Sequence, residues 1–423
     1  MHESAPDPLA AAERNISVEA ARRAIHAAIR PIHGSETVAL AKICGRVLAG
    51  DLISPIDVPA HDNSAMDGYA FDGAALRPDA DLSLRFVASV MAGQKAAGHV
   101  GMGECVRIMT GAALPGGTDT VVPLELIRFD GERVLVPAGT IQGRENVRRQ
   151  GEDLGIGKPA LFQGRILRPA DVGLIASLGM TEAEVMRRVR VAVFSTGDEI
   201  TPPGRPLPAN AIYDSNRFAL LAAIERLGLE PIDLGLVRDD PKALEATLRE
   251  AAEKADVVLT SGGVSAGDAD FVREVLSRSG SVTFWTVAMR PGRPFAFGDL
   301  HAPGGRSAWL FALPGNPVAA LVGFYVFARE ALQLLAGAQP EPLPALRARS
   351  VTAIRKRPGR TEFQRAHLGR GADGQCEVRA AGSQGAGILR SMSEANALIV
   401  LGHDQGAVAA GEFVDVWAFD GLV

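Results

Sequence analysis

A multidomain α/β plus β chain is predicted, with a central, mostly parallel α/β sheet, a β-rich inserted domain and a C-terminal β-barrel domain. Three observations carry this. The middle third alternates short β-branched runs with amphipathic helices. Residues 56–154 break into strand-like runs between Gly turns. After a Pro-rich joint, AQPEPLPA at 338–345, short strand-like runs return. With 423 residues the chain is too long for one ordinary core and suits two to four domains.

The central elements follow in order. VRVAVFSTGDEI is an apolar strand run that stops at Gly197. AIYDSNRFALLAAIERLGLE is a helix in which Leu220, Ala223, Ile224 and Leu227 share a face and Asp214 or Ser215 can cap. DPKALEATLREAAEKA is a second helix, with Asp240 as N-cap and Pro241 at its first position. VVLT at 257–260 is a strand, a helix runs from about 271 to 279, and SVTFWTVAM is a strand. AWLFALPGNPVAALVGFYVFAREAL reads as a strand, a Pro-Gly-Asn-Pro turn and a long helix. Strands separated by helices imply a parallel sheet covered on both faces. In the inserted module LSLRFVASV, CVRIMT, TVVPLEL and RVLVPAG are strand-like. In the C-terminal module RSVTAIRKR, CEVRAA, ALIVLG and EFVDVWAF are. Residues 17–30 are helical.

Composition excludes several function classes. A net charge of −5 argues against a general nucleic-acid or polyanion binder, so an anion site must be local. The N-terminus lacks the basic start and apolar core of a signal peptide. The longest apolar run, VAALVGFYVFA at 318–328, is too short to span a bilayer and reads as a buried helix. Cys44, Cys105 and Cys376 are scattered and odd in number, so neither a disulfide frame nor a zinc site is indicated and a cytoplasmic location is expected.

Ligands of an open parallel sheet bind beyond the carboxyl ends of its strands. Three strands here end in loops of one design, STGDE, TSGGVSAGDAD and LPGNP. Each has Gly for close backbone approach and a following helix start that favours an anion. One such loop is ordinarily a structural turn; three from one sheet are harder to read as punctuation. None is a P-loop or a dinucleotide fingerprint. Acids stand on the same loops: Asp198 and Glu199, Asp239 and Asp240, Asp268 and Asp270. Asp240 and Asp268 also read as helix caps; Glu199 and Asp270 do not. A few carboxylates beside substrate phosphate are what Mg²⁺ uses. Glycines holding a phosphate and an aspartate holding the bridging metal would reconcile the anion cradle with its acids.

Basic residues form the next signal. MRPGRPF sets Arg290 and Arg293 on a turn held by two prolines, NVRRQGED sets Arg148 and Arg149 beside Glu152 and Asp153, and IRKRPGRTEFQR concentrates cations including Arg360. The last reads equally as a solvated surface. VPAHDNSAMDGYA at 58–70 has little periodicity and the look of a binding loop, and its His61 reads better as a structural histidine.

HDNSAMDGYA, RIMTGA, NVRRQGED, STGDE, SGGVSAGDAD, RPGRPFAFG, LPGNPVA and GRTEFQR stand in the order found in molybdopterin molybdenumtransferases. The chain resembles that family from about residue 15 to 420. The resemblance implies a four-part subunit. A central molybdopterin-binding-like domain would span 8–30 and 185–337, and a linking domain 31–55 and 155–184. A β-rich domain would span 56–154 and a β-barrel domain 338–423. It implies insertion of molybdate into adenylylated molybdopterin with Mg²⁺, releasing AMP and the molybdenum cofactor. It implies a homodimer, and as further partners other cofactor-biosynthesis proteins and molybdoenzyme chaperones, with no nucleic acid and no membrane. The residues carried over as catalytic are Asp62, Thr110, Asp153, Glu199, Asp239 and Asp270, with Asp239, Asp270 and Glu199 at the metal. Those carried over as binding are Ser261, Gly262, Gly263, Ser265, Arg290, Arg293, Pro314, Gly315, Pro317 and Arg360, with Arg290, Arg293 and Arg360 on molybdate. Asp62, Thr110 and Asp153 are expected to reach in from the β-rich domain, across the dimer.

The chain departs from the family pattern at four places. Relatives have Lys-Pro-Gly-Lys where Arg290 and Arg293 stand, Lys at the position of Thr286, and Ser at those of Ala319 and Ala386. Two alternatives carry different functions. One is the adenylyltransferase that makes the adenylylated pterin, whose fold the central block also resembles. The other is a non-catalytic scaffold, against which the lack of a fused accessory domain counts.

Overall fold

The computed structural model describes residues 14–93, 98–263, 269–302, 304–339 and 345–419. Its central unit is a seven-stranded sheet. Four strands are parallel neighbours: Glu230–Val237, Arg190–Thr196, Val257–Ser261 and Ser307–Leu313, in that order across the sheet. Alternate residues of these strands enter two separate cores. Val191, Val193 and Leu259 pack against the helices Val18–Ala28, Asn216–Arg226 and Pro317–Gly323. Ala192, Phe194 and Val258 pack against Pro241–Lys254 and Ala269–Ser279. Burial on both faces is why these strands read as unbroken apolar runs.

The sheet is mixed at one side. Pro294–His301 runs antiparallel to Ser307–Leu313 and to Gly280–Val287, and Arg14–Ile16 adds a parallel edge. FAFGDLH is not among the strands expected from the sequence; it continues directly from the MRPGRPF turn, whose second proline opens the strand. Once past that proline, Phe295 and Phe297 meet Trp285 across the sheet, and Phe297 stacks on Trp309 at 5.1 Å. Such aromatic pairs stabilise a strand independently of its flanks.

Helix starts follow local chemistry. Asp240 caps Pro241–Lys254 by accepting from the Ala243 amide at 2.8 Å. Ser215 holds the cap position of Asn216–Arg226 without a side-chain cap bond; Asp214 accepts the Arg217 amide at 3.3 Å, a cap-type bond, and also reaches Ser195. Residues 317–335 are continuously helical, with a π-helical turn at Phe324–Ala328. This helix is long and apolar enough to cross a membrane, yet most of it is buried inside the protein.

The inserted module is a six-stranded sheet built from Gly68–Phe71, Leu82–Val90, Glu104–Ile108, Thr120–Pro123, Arg128–Phe129 and Arg133–Val136. Ser35–Ala39 pairs with Glu182–Met186, and Leu52–Ile53 with Pro159–Leu161. These pairs and the helix Pro169–Ser177 enclose a small core of Ile43, Leu48, Leu161, Ile175 and Val185.

The C-terminal sheet closes into a barrel. Thr361–Arg370, Cys376–Ala380, Leu346–Ser350, Phe413–Ala418 and Ala397–Leu401 follow one another, and the last pairs back to the first. Thr361–Arg370 is its longest strand, in a segment whose sequence suggests concentrated cations and a family motif but no strand. Met289–Arg290 adds to this strand beside Thr361 and Glu362, joining the barrel to the central unit.

Candidate active site

The parallel strands lie in the order second, first, third, fourth along the chain. The strand order therefore reverses between Arg190–Thr196 and Val257–Ser261, where a sheet of this type leaves a crevice at its carboxyl edge. A cleft of about 650 Å³ opens there, lined by Thr196, Glu199, Asp239, Ser261, Gly262 and Gly263 together with the Pro314, Gly315 and Pro317 turn. That volume is within the range of small-molecule sites. The barrel supplies part of the wall through Ala386, Gly387 and Leu389.

Two glycines are required by geometry. Gly262 has φ +101°, and a Cβ there would lie 2.8 Å from the Thr196 carbonyl oxygen. Gly197 has φ +140°, and a Cβ would meet the Glu199 carboxylate, which folds back over it, at 2.6 Å. Both are left-handed positions that a side chain adopts only under strain.

The Gly262 amide donates to the Leu313 carbonyl at 3.1 Å, so it is not a free anion donor. This corrects part of the expected cradle. Beneath the turn lies a buried polar network. Ser195 Oγ donates to Asp214 at 3.0 Å and stands 3.3 Å from Ser261 Oγ. Arg217 Nε donates to the other Asp214 oxygen at 2.8 Å, and Arg217 also binds Asp233. Asn216 Nδ2 donates to the Gly315 carbonyl at 2.7 Å, tying the third loop to the same helix start.

The acids of the cleft gather on one side. The Asp198 amide faces an Asp239 oxygen, and the Asp239 amide an Asp198 oxygen, each at 3.3 Å. Glu199 and Asp239 both line the cleft. Among the described residues no three acidic, His or Cys side chains converge as a metal site. Ser265 and Asp268 lie outside the described residues. Asp270 falls within the helix Ala269–Ser279, but its side chain also lies outside what is described.

A second cavity, of about 270 Å³, lies between the Arg290–Pro291 turn and the barrel. Arg290, Arg355 and Arg365 line it, with Glu362 as the acid. Arg365 is 1% exposed. Its Nε donates to Ser391 Oγ at 3.1 Å, and one terminal nitrogen donates to the Ser383 and Gly385 carbonyls at 3.1 and 3.0 Å. Neutral oxygens hold this guanidinium. Burial, and then the positive charge of Arg290, hold its pKa below the ordinary arginine value.

Arg365 is the residue the sequence reading missed. It shares a strand face with Thr361 and Phe363, and both are buried. Glu362 and Ala366 on the opposite face are buried as well, so no alternation marks this strand in the sequence. Arg360, which the reading favoured, is exposed and lines neither cavity. Arg293 is also exposed, and its carbonyl accepts from the Val287 amide at 2.7 Å while Gly292 and Pro294 reach the large cleft.

The β-rich residues form a third group. Asn63–Ser64 pairs with Val147–Arg148, which brings HDNSAMDGYA beside NVRRQGED. Asp62 accepts from the Gln150 amide at 2.7 Å, and the Asp153 amide donates to the Val58 carbonyl at 3.0 Å. Thr110 donates through its amide and its hydroxyl to Asp67, each at 2.7 Å. These bonds, the amide first, hold the Asp67 carboxyl below the usual carboxylate range. Asp62, Thr110 and Asp153 thus belong to one loop cluster, but none lines the cleft or the arginine cavity.

Comparisons with known proteins cover the whole architecture. The family model of the MoeA N-terminal region (domain I and II) matches residues 16–179. That of a probable molybdopterin binding domain matches 192–334, and that of the MoeA C-terminal region (domain IV) matches 347–419. The molybdopterin molybdenumtransferase of Haemophilus influenzae is 40% identical over 92% of this chain and 95% of its own length. Molybdopterin molybdenumtransferase 2 of Mycobacterium tuberculosis is 37% identical over 92% of this chain and 95% of its own. A crystal structure of the molybdopterin biosynthesis moeA protein of Pyrococcus horikoshii superposes with a TM-score of 0.81 at 27% identity, covering 96% of this chain and all of that one. With the cleft at the reversal of strand order and a barrel supplying part of its wall, these matches establish that the chain belongs to the molybdopterin molybdenumtransferase family.

Proposed function

We propose that this enzyme inserts molybdate into adenylylated molybdopterin, releasing AMP and the molybdenum cofactor, and that its two cavities divide the work. The carrying observation is their contrast in chemistry. The cleft at the carboxyl edge has the volume and polar walls for a large, polar adenylylated pterin. The adjoining cavity is smaller and holds three arginines, one of them buried, which suits a tetrahedral oxyanion. The two meet at the Arg290–Pro294 turn, whose Arg290 and Pro291 face one cavity and Gly292 and Pro294 the other. In this reading Arg365 and Arg290 hold molybdate, and Arg360 does not.

Mg²⁺ fits the acid side of the cleft, where Glu199 and Asp239 provide two carboxylates and substrate phosphate and water would complete the shell. When bound, the ion neutralises phosphate charge on the leaving AMP. Asp270 stays a candidate third ligand by its place in the sequence. Asp62, Thr110 and Asp153 line neither cavity of their own chain, which supports a homodimer whose partner copy brings that cluster to the cleft. Free cysteines, two of them exposed, suit a reducing cytoplasm.

The test is to incubate the protein with adenylylated molybdopterin, Mg²⁺ and molybdate and to follow AMP. Release that depends on molybdate supports the reading. Consumption of ATP with unadenylylated pterin would instead make the chain an adenylyltransferase.

A further inference from the structure

The buried network under the cleft has a fixed direction. Asp214 is 3% exposed and its carboxylate is ion-paired to Arg217. A carboxylate in such a pair only accepts. Ser195 has one hydroxyl proton, and that proton goes to Asp214 at 3.0 Å. Ser195 can then meet Ser261, 3.3 Å away, only as an acceptor, so Ser261 gives its own proton to Ser195. What remains of Ser261 toward the cleft is lone pairs. The neighbouring Gly262 amide is already used on the Leu313 carbonyl. Ser261 Oγ therefore accepts at this corner, while the Thr196 hydroxyl beside it, buried and without a hydrogen-bond partner among the described residues, is left to donate.

We infer that Asp214, acting through Ser195, orders the Ser261 hydroxyl as an acceptor, so that the ligand group that meets Ser261 Oγ is an N–H or O–H donor. The inference rests on the reading of the cleft as the adenylylated-pterin site. Asp214 is a positioning residue, since Ser195 and Ser261 stand between it and the ligand. The donor chemistry has two sources in that ligand, the amino edge of the pterin and the amino or hydroxyl groups of the adenosine part. An ionised terminal phosphate has no such donor and does not meet Ser261 Oγ.

Asp214→Asn reverses the chain. Arg217 brings two donors to this carboxylate, its Nε at 2.8 Å to one oxygen and its backbone amide at 3.3 Å to the oxygen Ser195 uses. The Nε bond is the shorter and comes from a charged group, so the new amide oxygen turns to it and the amide nitrogen turns to Ser195 with loss of the weaker backbone bond. Ser195 then donates to Ser261, and Ser261 presents its proton to the cleft. Binding of three probes is measured for wild type, Asp214→Asn and Ser195→Ala: AMP, 6-hydroxymethylpterin and pyrophosphate. One hydrogen bond converts to roughly a threefold to tenfold change in affinity. Asp214→Asn is expected to weaken by about that factor whichever of AMP or the pterin carries the donor, and to leave pyrophosphate equal or tighter. The arm that weakens identifies the source. Ser195→Ala, which removes the relay and leaves the Asp214–Arg217 pair in place, is expected to weaken the same probe and serves where Asp214→Asn does not fold. Equal weakening of all three probes, or selective loss of pyrophosphate, would overturn the inference while leaving the cleft reading intact. A folded wild type that binds neither adenylylated molybdopterin nor any probe would remove both.

Discussion

The large cleft and the arginine cavity are neighbours built by opposite means. The cleft is made by backbone. Its shape follows from where parallel strands end, and Gly197 and Gly262 occupy conformations and approaches closed to other residues. The cavity is made by side chains. Its defining group, Arg365, sits on a regular strand and is held by a serine hydroxyl and two carbonyls. The difference teaches where substitution is tolerated. A backbone-built wall fails by strain, a charge-built wall by loss of a cation, and the two failures have different signatures in binding and stability.

The largest effect is expected away from both pockets and separates stability from function. Asp256, at the opposite edge of the same strands, binds Arg187 through both oxygens at 2.8 and 2.9 Å and accepts the Arg190 amide at 2.9 Å. The pair is partly buried, and removing the charge from a bidentate pair that also accepts a backbone amide costs about 2–3 kcal/mol, below the fully buried case. Asp256→Asn should lower the denaturation midpoint by that order and leave ligand affinities unchanged. Burial pushes the Asp256 carboxyl up, but the Arg187 bonds and the Arg190 amide outweigh it and the carboxyl titrates below its ordinary value. Its folded pKa is depressed, so its contribution is present above the unfolded carboxylate range and is lost as pH falls through the folded value. Denaturation curves taken from neutral to acid pH should show wild type and Asp256→Asn converging. A constant gap would contradict the assignment.

Next comes the cation. Arg365→Met should raise the molybdate requirement by roughly one to two orders of magnitude, since a hydrogen bond to a charged group is worth about 1.5–3 kcal/mol. Arg360→Ala should change it little, because Arg360 is exposed and away from both cavities. Titrating molybdate against AMP release checks both. A large effect of Arg360 with none of Arg365 would reverse the cavity assignment.

Gly262→Ala is the corresponding break in the backbone-built wall. Its positive φ and the 2.8 Å approach to the Thr196 carbonyl predict about 1–3 kcal/mol of strain. The expected result is weaker binding of the adenylylated pterin and a lower melting temperature, with the molybdate dependence kept. Unchanged pterin affinity would show that the turn does not shape the ligand site.

The same contrast governs what was legible in the sequence. Gly loops after apolar runs announce themselves, because left-handed backbone and close approach demand glycine locally. The central sheet, the Asp240 cap and the strands of the inserted module were readable for the same local reasons. Thr361–Arg370 was not, because five basic residues in IRKRPGRTEFQR read as surface, whereas Thr361, Phe363 and Arg365 on one face and Glu362 and Ala366 on the other are all buried and leave no alternation to read. Pro294–His301 was hidden by the turn residues before it, although its aromatic partners lie in known strands. Asp214 reads as a helix cap and does accept the Arg217 amide, but this is only part of its bonding. Its role depends on Ser195 and Ser261, which meet only when two strands lie side by side.

The division between the cavities is tested most directly by equilibrium binding of molybdate and, separately, of adenylylated molybdopterin to wild type, Arg365→Met and Gly262→Ala. The account predicts a double dissociation. Arg365→Met loses molybdate binding by roughly tenfold or more and keeps the pterin, while Gly262→Ala weakens the pterin and keeps molybdate. Loss of both ligands in either folded variant, or the reverse pairing, would contradict it.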